Sequence, residues 1–341
     1  MKLISFAIPS YNSEAYMRNC IDSILKGGED VEIIIVNDGS KDSTGAIADE
    51  YAAKYPTICK AVHQENGGHG EGVNQGIRNA SGLYFKVVDS DDWVDEDALK
   101  AVLAAVKKHL AEDTLPDLYV TNFVYEHVED DSAFTRRYVK NMPTGKFFGW
   151  RDVKPFKKSS VLLMHALMYK TEILRECKLE LPKHTFYVDN IFAYVPLPFV
   201  KTMFYLDVDF YRYYIGRADQ SVNMSVFAKR TEQQNRVMKI MAEAYDVREI
   251  KKTEPQLAKY MLHALACLMI VTLTFTLAEP SKEKYAALKT LWKQIKAKDK
   301  WLHNKLKYRS YTGLYTYFPR PVGRFIVITG YKATAKKVKL G

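Results

Sequence analysis

Cysteine is scarce in this chain: Cys20, Cys59, Cys177 and Cys267 lie far apart with no CxxC spacing. That excludes a zinc knuckle and a disulfide framework, and it fits a reducing compartment. No GxGxxG run follows the first strand, so the dinucleotide-binding fingerprint is missing. Internal repeats and low-complexity linkers are lacking as well. The opening "MKLISFAIPSYN" has too short an apolar run and too early a proline for a signal peptide, and reads as a buried strand, so a cytoplasmic location is expected. Acid is scarce at one end only. Residues 281–341 hold 16 Lys/Arg against Glu283 and Asp299, whereas the first hundred residues hold 17 acids and 9 bases. Uniform basicity would indicate nucleic acid, which is not expected as a partner here. A basic tail with interleaved aromatics suggests an anionic membrane surface, peripheral at the inner face of the cell membrane, or else a solvated helix with a frayed end.

What is present is an alternation of short β-branched runs with helical spacing. "LISFAI", "VEIIIV", "ICKAV" and "LYFKVV" read as strands of a parallel sheet buried on both faces. Between them, Tyr16, Cys20, Ile21 and Ile24 recur at helical spacing after a capping candidate at Asn12 or Ser13. Ile47, Ala48 and Tyr51 follow Ser43, and Val73, Ile77 and Ala80 share a third face. The spacing predicts an α/β fold, an open and mostly parallel sheet with helices on both faces. A helix from Glu96 to about Leu110 and strands in "DLYVTNFVYEH" and "TMFYLDVDFYRYY" come next, and helical periodicity dominates from Ala228. "MLHALACLMIVTLTFTLA" reads as a core helix or, with its threonines and His263, a marginal membrane span.

In such sheets ligands sit beyond the carboxyl ends of the strands. Those ends read "IPSYN", "VNDGS", "HQENGG" and "VDSDDW". In the last, side chains at i and i+2 point the same way, so Asp89 and Asp91 converge while Ser90 and Asp92 face elsewhere. Two carboxylates at a strand end suit Mn²⁺ or Mg²⁺, ions that complete their shell with substrate phosphates. Asp92 is expected to cap the next turn and Trp93 to wall the site. Asp38 is placed either to accept from a base N–H or to shape its Asn-Asp-Gly-Ser turn. Pro9 and Tyr11 end the first strand, where a fixed backbone and an aromatic face would line the base pocket. Five glycines between Asn66 and Gly82, Gly68 included, with Asn74 among them, permit close backbone approach to a ligand.

These stretches, with "ENGGHGEGVNQGI" and "YVDNIFAYVPL", resemble in order the motifs of the family 2 glycosyltransferases, strongly to residue 100 and moderately to 225. The resemblance implies the GT-A fold, over residues 1–225, with a nucleotide-binding half (1–100) and an acceptor-side half (101–225); it does not extend to 226–341, which periodicity and charge mark as a helical, basic region. It implies inverting, metal-assisted transfer from a nucleotide-diphosphate sugar, usually UDP-linked, to a glycan or lipid-linked saccharide of the cell surface. Asn66, Gly68, Asn74 and Ser90 would join the donor site, Asp38 would hold the base, Asp89 the ribose or metal, and Asp91 the metal and diphosphate. Asp189 would be the catalytic base, or a helix N-cap, or both, with Val188 where a paired acid is usual. Arg217 in "RYYIGRADQSVN" would bind the diphosphate, unless it is an exposed loop arginine. His69 and His184, each without an evident partner, read as structural. The rivals are a metal-dependent nucleotidyltransferase and a non-catalytic module on the same scaffold.

Overall fold

Four apolar runs build the centre of the sheet because each residue's burial exceeds the cost of ordering it. In the computed structural model, which describes residues 1–127, 132–157, 160–215 and 229–338, they are β1 (Ile4–Ser10), β2 (Val31–Asp38), β3 (Cys59–Gln64) and β4 (Tyr84–Val87). Ile33, Ile34, Ile35 and Val36 are wholly buried. Each contributes about 1.5–3 kcal/mol against exposure. The strands run parallel in the order β3-β2-β1-β4. Crossover helices α1 (Met17–Leu25), α2 (Thr44–Lys54) and α3 (His69–Asn79) connect them. Register sets Ser10 beside Asn37, and Asp38 beside Gln64, so the carboxyl ends meet along one rim.

Beyond β4 the sheet turns antiparallel. A two-residue strand, β5 (Trp93–Val94), and helix α4 (Glu96–Ala111), capped by the Asp95 carboxylate, lead into β6 (Leu118–His127). Then follow β7 (Ala133–Arg136), β8 (Phe147–Phe148), β9 (Leu167–Lys170), α5 (Thr171–Glu176), α6 (Asp189–Tyr194) and β10 (Met203–Ile215). The full order is β3-β2-β1-β4-β9-β6-β10-β5, with β7 on β6 and β8 on β10. Two expected caps are absent. Asn12 and Ser13 do not cap α1; Asn12 Oδ1 accepts from Lys41 N at 2.9 Å and Ser13 N donates to Thr44 Oγ1 at 2.7 Å, tying two rim loops together. At α2 the Asp42 carboxylate, not Ser43, takes the Thr44 N–H at 3.0 Å.

The chain divides into two compact units, Met1–Lys154 with Leu162–Tyr214, and Pro155–Val161 with Ile215–Gly341. The second is helical: α7 (Thr231–Glu243), α8 (Val247–Thr253), α9 (Pro255–Ala278), α10 (Lys282–Lys298), α11 (Lys300–Arg309), α12 (Gly313–Tyr317) and α13 (Arg320–Val338). Among the described residues α9 is the helix long and apolar enough to cross a membrane, yet 67% of its most apolar window is buried within protein. Its threonines are satisfied internally: Thr272, Thr274 and Thr276 donate back to the carbonyls of Leu268, Ile270 and Thr272. It is the core helix of its unit.

Candidate active site

The rim of the parallel half is organised by Asp38. This carboxylate is 3% exposed; its Oδ1 accepts from Gln64 Nε2 at 2.5 Å and Gly67 N at 2.7 Å, and Oδ2 from Gly68 N at 2.8 Å. The carboxylate thus shapes the loop after β3, while its own Asn-Asp-Gly-Ser turn is closed by Asn37 Oδ1 accepting from Ser40 N at 3.1 Å; one lone pair of Asp38 Oδ2 is left over by this count. Asn66 closes the loop through Nδ2 to the Asp38 carbonyl at 2.9 Å. Gly68 has φ +81°, and a Cβ there would lie 3.1 Å from the His184 backbone, so the loop between β3 and α3 is packed on the loop before Asp189. His184 N donates to Gly67 O at 2.7 Å. Within that second loop His184 and Tyr187 hold left-handed backbone, φ 46° and 66°. Such conformations cost on the order of 1–3 kcal/mol each and persist where surrounding contacts impose them.

Other expected ligand residues brace the site from behind. Pro9 is buried against α3, where a Cβ on Gly72 would sit 2.9 Å from the Pro9 ring, so the ring supports the helix rather than lining a pocket. Tyr11, by contrast, is 51% exposed. Asn74 corrects expectation most plainly. It is 2% exposed, with Nδ2 donating to Leu181 O at 2.9 Å and to Glu71 at 3.1 Å and Oδ1 accepting from Leu181 N at 2.9 Å, so its amide is spent on protein. Ser90 is also buried and shares a hydrogen bond of 2.7 Å with Ser13 Oγ. Arg217 lies outside the described residues.

After β4 the chain turns through Asp89–Asp92, closed by Asp92 N donating to Asp89 O at 2.9 Å. Asp89 and Asp91 are half-buried, while Asp92 is 1% exposed. Asp92 caps no turn with its side chain: it accepts from Tyr211 Oη at 2.5 Å and from Tyr214 N at 2.8 Å, pinning the acidic turn to β10. Tyr211 Oη in turn accepts from Asp89 N at 3.2 Å. Burial, then the charges of Asp91 and Asp89, push the Asp92 carboxyl far up.

Two histidines flank this turn. His69, at the start of α3, has its Nε2 2.7 Å from Asp89 Oδ1, so it does have a partner, contrary to the sequence reading. Burial disfavours its charged form, but Asp89, and then Asp189 and Asp91, more than offset this and hold it above the ordinary value. Asp89 responds in kind: burial raises it, and His69 and then His165 pull it below the usual range. His165 was not anticipated. One of its ring nitrogens, an Asp89 oxygen and an Asp92 oxygen all lie within 4.8 Å of one another. Burial pushes His165 down to about 4, so it is a neutral imidazole, and its Nδ1 is buried without a hydrogen-bond partner.

Lys86 was missed too. It sits mid-strand in β4, wholly buried, and donates to His165 O at 2.7 Å, with Nζ 5.2 Å from the Tyr211 ring centre. Burial pulls its ammonium down to about 7. The signal lay in "LYFKVV", a cation inside a run otherwise apolar enough to be buried on both faces. A lysine depressed in the folded state costs stability most below about 7, and the cost vanishes as the pH nears the unfolded value of about 10.5. Lys86→Met is therefore expected to stabilise by ~1–4 kcal/mol at neutral pH. Denaturant titrations at two pH values check this, since the gain must shrink on the alkaline side.

Asp189, the first residue of α6, has its carboxylate half-buried, with Asn190 Nδ2 donating to Oδ1 at 3.3 Å. Burial raises it to about 6, with His69 pulling down and Asp89 pushing up. The cap position of α6 belongs to Val188, so Asp189 is the first helical residue and not the N-cap, although the backbone N–H groups of Asn190 and of Asp189 itself help to lower its carboxyl. Val188, where a second acid is usual, is 1% exposed and packs toward Gly70, 3.5 Å from where a Cβ there would stand. A carboxylate in that slot would be buried without water.

The rim of carboxylates beyond the parallel β-α-β half lies within a stretch that matches a known family, whereas Asp189 lies beyond it. The sequence fits the family model described as glycosyl transferase family 2 over residues 5–176. The chain belongs to that family. Its fold is GT-A, with a helical C-terminal region. Glycosyltransferase GlyA of Streptococcus pneumoniae is 29% identical over 185 residues, covering 53% of this chain and 26% of GlyA. The putative glycosyltransferase EpsH of Bacillus subtilis is 34% identical over 171 residues, covering 46% of this chain and 48% of EpsH. The chain thus spans between about a quarter and about half of the length of these curated relatives. S. aureus TarS 1–349 superposes with a TM-score of 0.66 at 18% identity, covering 98% of this chain and 92% of that one. At that identity the likeness carries the fold alone.

Proposed function

We propose that this glycosyltransferase moves a sugar, with inversion, from a UDP-linked donor to a hydroxyl of a cell-surface glycan or lipid-linked saccharide, using Mn²⁺ or Mg²⁺. One observation carries the reading: Asp189, raised to about 6, is electrostatically linked to both Asp89 and His69, so a base of suitable strength and the acidic turn share one environment. A UDP-linked donor is supported by the TarS structures, solved in complex with UDP and with UDP-GlcNAc.

The donor set fits a divalent cation. Oxygens of Asp89 and Asp92 and a ring nitrogen of His165, a neutral imidazole whose Nδ1 is unpartnered, lie within 4.8 Å of one another, and Asp92, its carboxyl pushed far up by burial and by its acidic neighbours, would give up its proton to such an ion; Asp91, in the same turn, stands outside that cluster and would add a further hard oxygen. When bound there, such an ion stabilises the charge developing on the departing diphosphate. The chain's own residues do the rest. Tyr11 offers an aromatic face to the base, and Asp38 has a lone pair for a ring N–H. Asp189 accepts the proton of the acceptor hydroxyl as its oxygen bonds to the sugar's anomeric carbon; the bond from that carbon to the diphosphate breaks, and UDP leaves with the electron pair.

Incubation with a panel of UDP- and GDP-sugars and Mn²⁺, scored by slow donor hydrolysis, is expected to release free UDP and sugar. Pyrophosphate formed from UTP and a sugar 1-phosphate, with no UDP released from any sugar donor, would make the protein a nucleotidyltransferase, and UDP binding with no turnover under any donor would make it a scaffold.

A further inference from the structure

The helical unit ends in a surface that its own packing does not account for. At the α12–α13 corner Leu314, Tyr317, Phe318, Val322 and Phe325 are 52%, 67%, 45%, 44% and 69% exposed. They follow one another along a single stretch, "LYTYFPRPVGRF", rather than being scattered singly as ordinary surface apolar residues are. Helix α13 already has a packed stripe, with Gly323 and Val327 buried, so Val322 and Phe325 lie on another face.

The charge along this stretch of chain is one-sided. No Asp or Glu follows Asp299, while residues 300–341 carry ten Lys/Arg. Arg309, Arg320 and Arg324 are exposed beside the apolar residues. Arg324 reaches the Leu277 carbonyl through Nε at 2.9 Å, and Arg320 lies over the Tyr285 ring at 5.5 Å, so both are oriented rather than trailing.

We infer that this corner is a bilayer-docking site: the five apolar side chains enter the headgroup boundary of an anionic membrane and the arginines meet its phosphates. Aromatic and aliphatic side chains interleaved with arginine suit the interfacial layer, where rings and cations are both accommodated. A protein partner's apolar groove would match the aromatics but would leave Arg309, Arg320 and Arg324 without an acidic counterpart. The inference is independent of the donor-site reading, since no residue of the acidic rim takes part.

Vesicle co-sedimentation of the full chain tests it, comparing phosphatidylcholine alone with phosphatidylcholine containing phosphatidylglycerol. Binding is expected to be at least ~10-fold tighter to the anionic vesicles and to weaken with salt. Phe318→Ser with Phe325→Ser, both at exposed positions that leave the fold's packing intact, is expected to cost about tenfold per ring. Arg309→Gln with Arg320→Gln is expected to cost about fivefold per charge. If the serine variant binds as wild type while the glutamine variant loses binding, only a solvated basic tail is at work and the docking corner is refuted. Absence of binding to either vesicle, or a wild-type dimer in sedimentation that the serine variant dissolves, would assign the corner to a protein contact and equally overturn the inference.

Discussion

Asp189→Asn is expected to lower sugar transfer by ~10²–10⁴-fold while leaving UDP affinity unchanged, because it removes the proton acceptor without touching the groups proposed to hold the donor. The raised carboxyl adds a second, independent signature. Since the base works only when ionised, wild-type kcat/KM should fall about tenfold per pH unit below about 6 and be flat above it. An unburied aspartate would keep the enzyme active to near pH 4. Stability should move the other way. A carboxyl whose folded value lies above its unfolded value contributes stability that is full below the unfolded value and lost as pH rises through about 6. At neutral pH the ionised, half-buried Asp189 is therefore a burden, and its replacement by neutral asparagine should stabilise the metal-free protein by on the order of 1–3 kcal/mol. Calorimetric titration with UDP, a pH–rate profile and a denaturation curve read the three effects separately. Full turnover in the asparagine variant would assign the base elsewhere.

The second large effect concerns Asp89. Its replacement by asparagine is expected to weaken Mn²⁺-dependent UDP binding by ~10²–10³-fold, the scale of several kcal/mol that a lost charge beside a cation represents. The same substitution frees His69 from its partner at 2.7 Å, so the His69 pKa should fall back toward its ordinary value, visible by NMR titration of the ring. Chelation should reproduce the loss of UDP affinity in wild type and have little further effect on the variant. An Asp89→Asn protein that binds UDP with wild-type affinity, still sensitive to chelator, would remove Asp89 from the metal reading.

Much of this arrangement is legible in the sequence because β-branched runs on a parallel sheet leave little choice of register or order. "VEIIIV" has to be a central strand, and the loops beyond the carboxyl ends of such strands follow from topology alone. The cap assignments failed where loops traded hydrogen bonds: Asn12 and Ser13 are good local caps, but Asn12 Oδ1 is taken by Lys41 N and Ser13 Oγ by Ser90. The second tier of the site was illegible for a different reason. His165 and Tyr211 are 76 and 122 residues beyond Asp89, and only antiparallel pairing through β9 and the placement of β10 brings them beneath the acidic turn. Asn74 misled because its motif gives a residue type without saying which way the amide points; its partner Leu181 is 107 positions away. Lys86 was readable and overlooked, since a cation inside a doubly buried strand always demands an explanation.

Crystals soaked with UDP and MnCl₂ and measured at the manganese absorption edge test the central claim most directly. An anomalous peak lying between the Asp89–Asp91 carboxylates and the β-phosphate is the predicted result. Nucleotide in the rim with no peak beside it, or nucleotide bound away from the rim, would contradict the account.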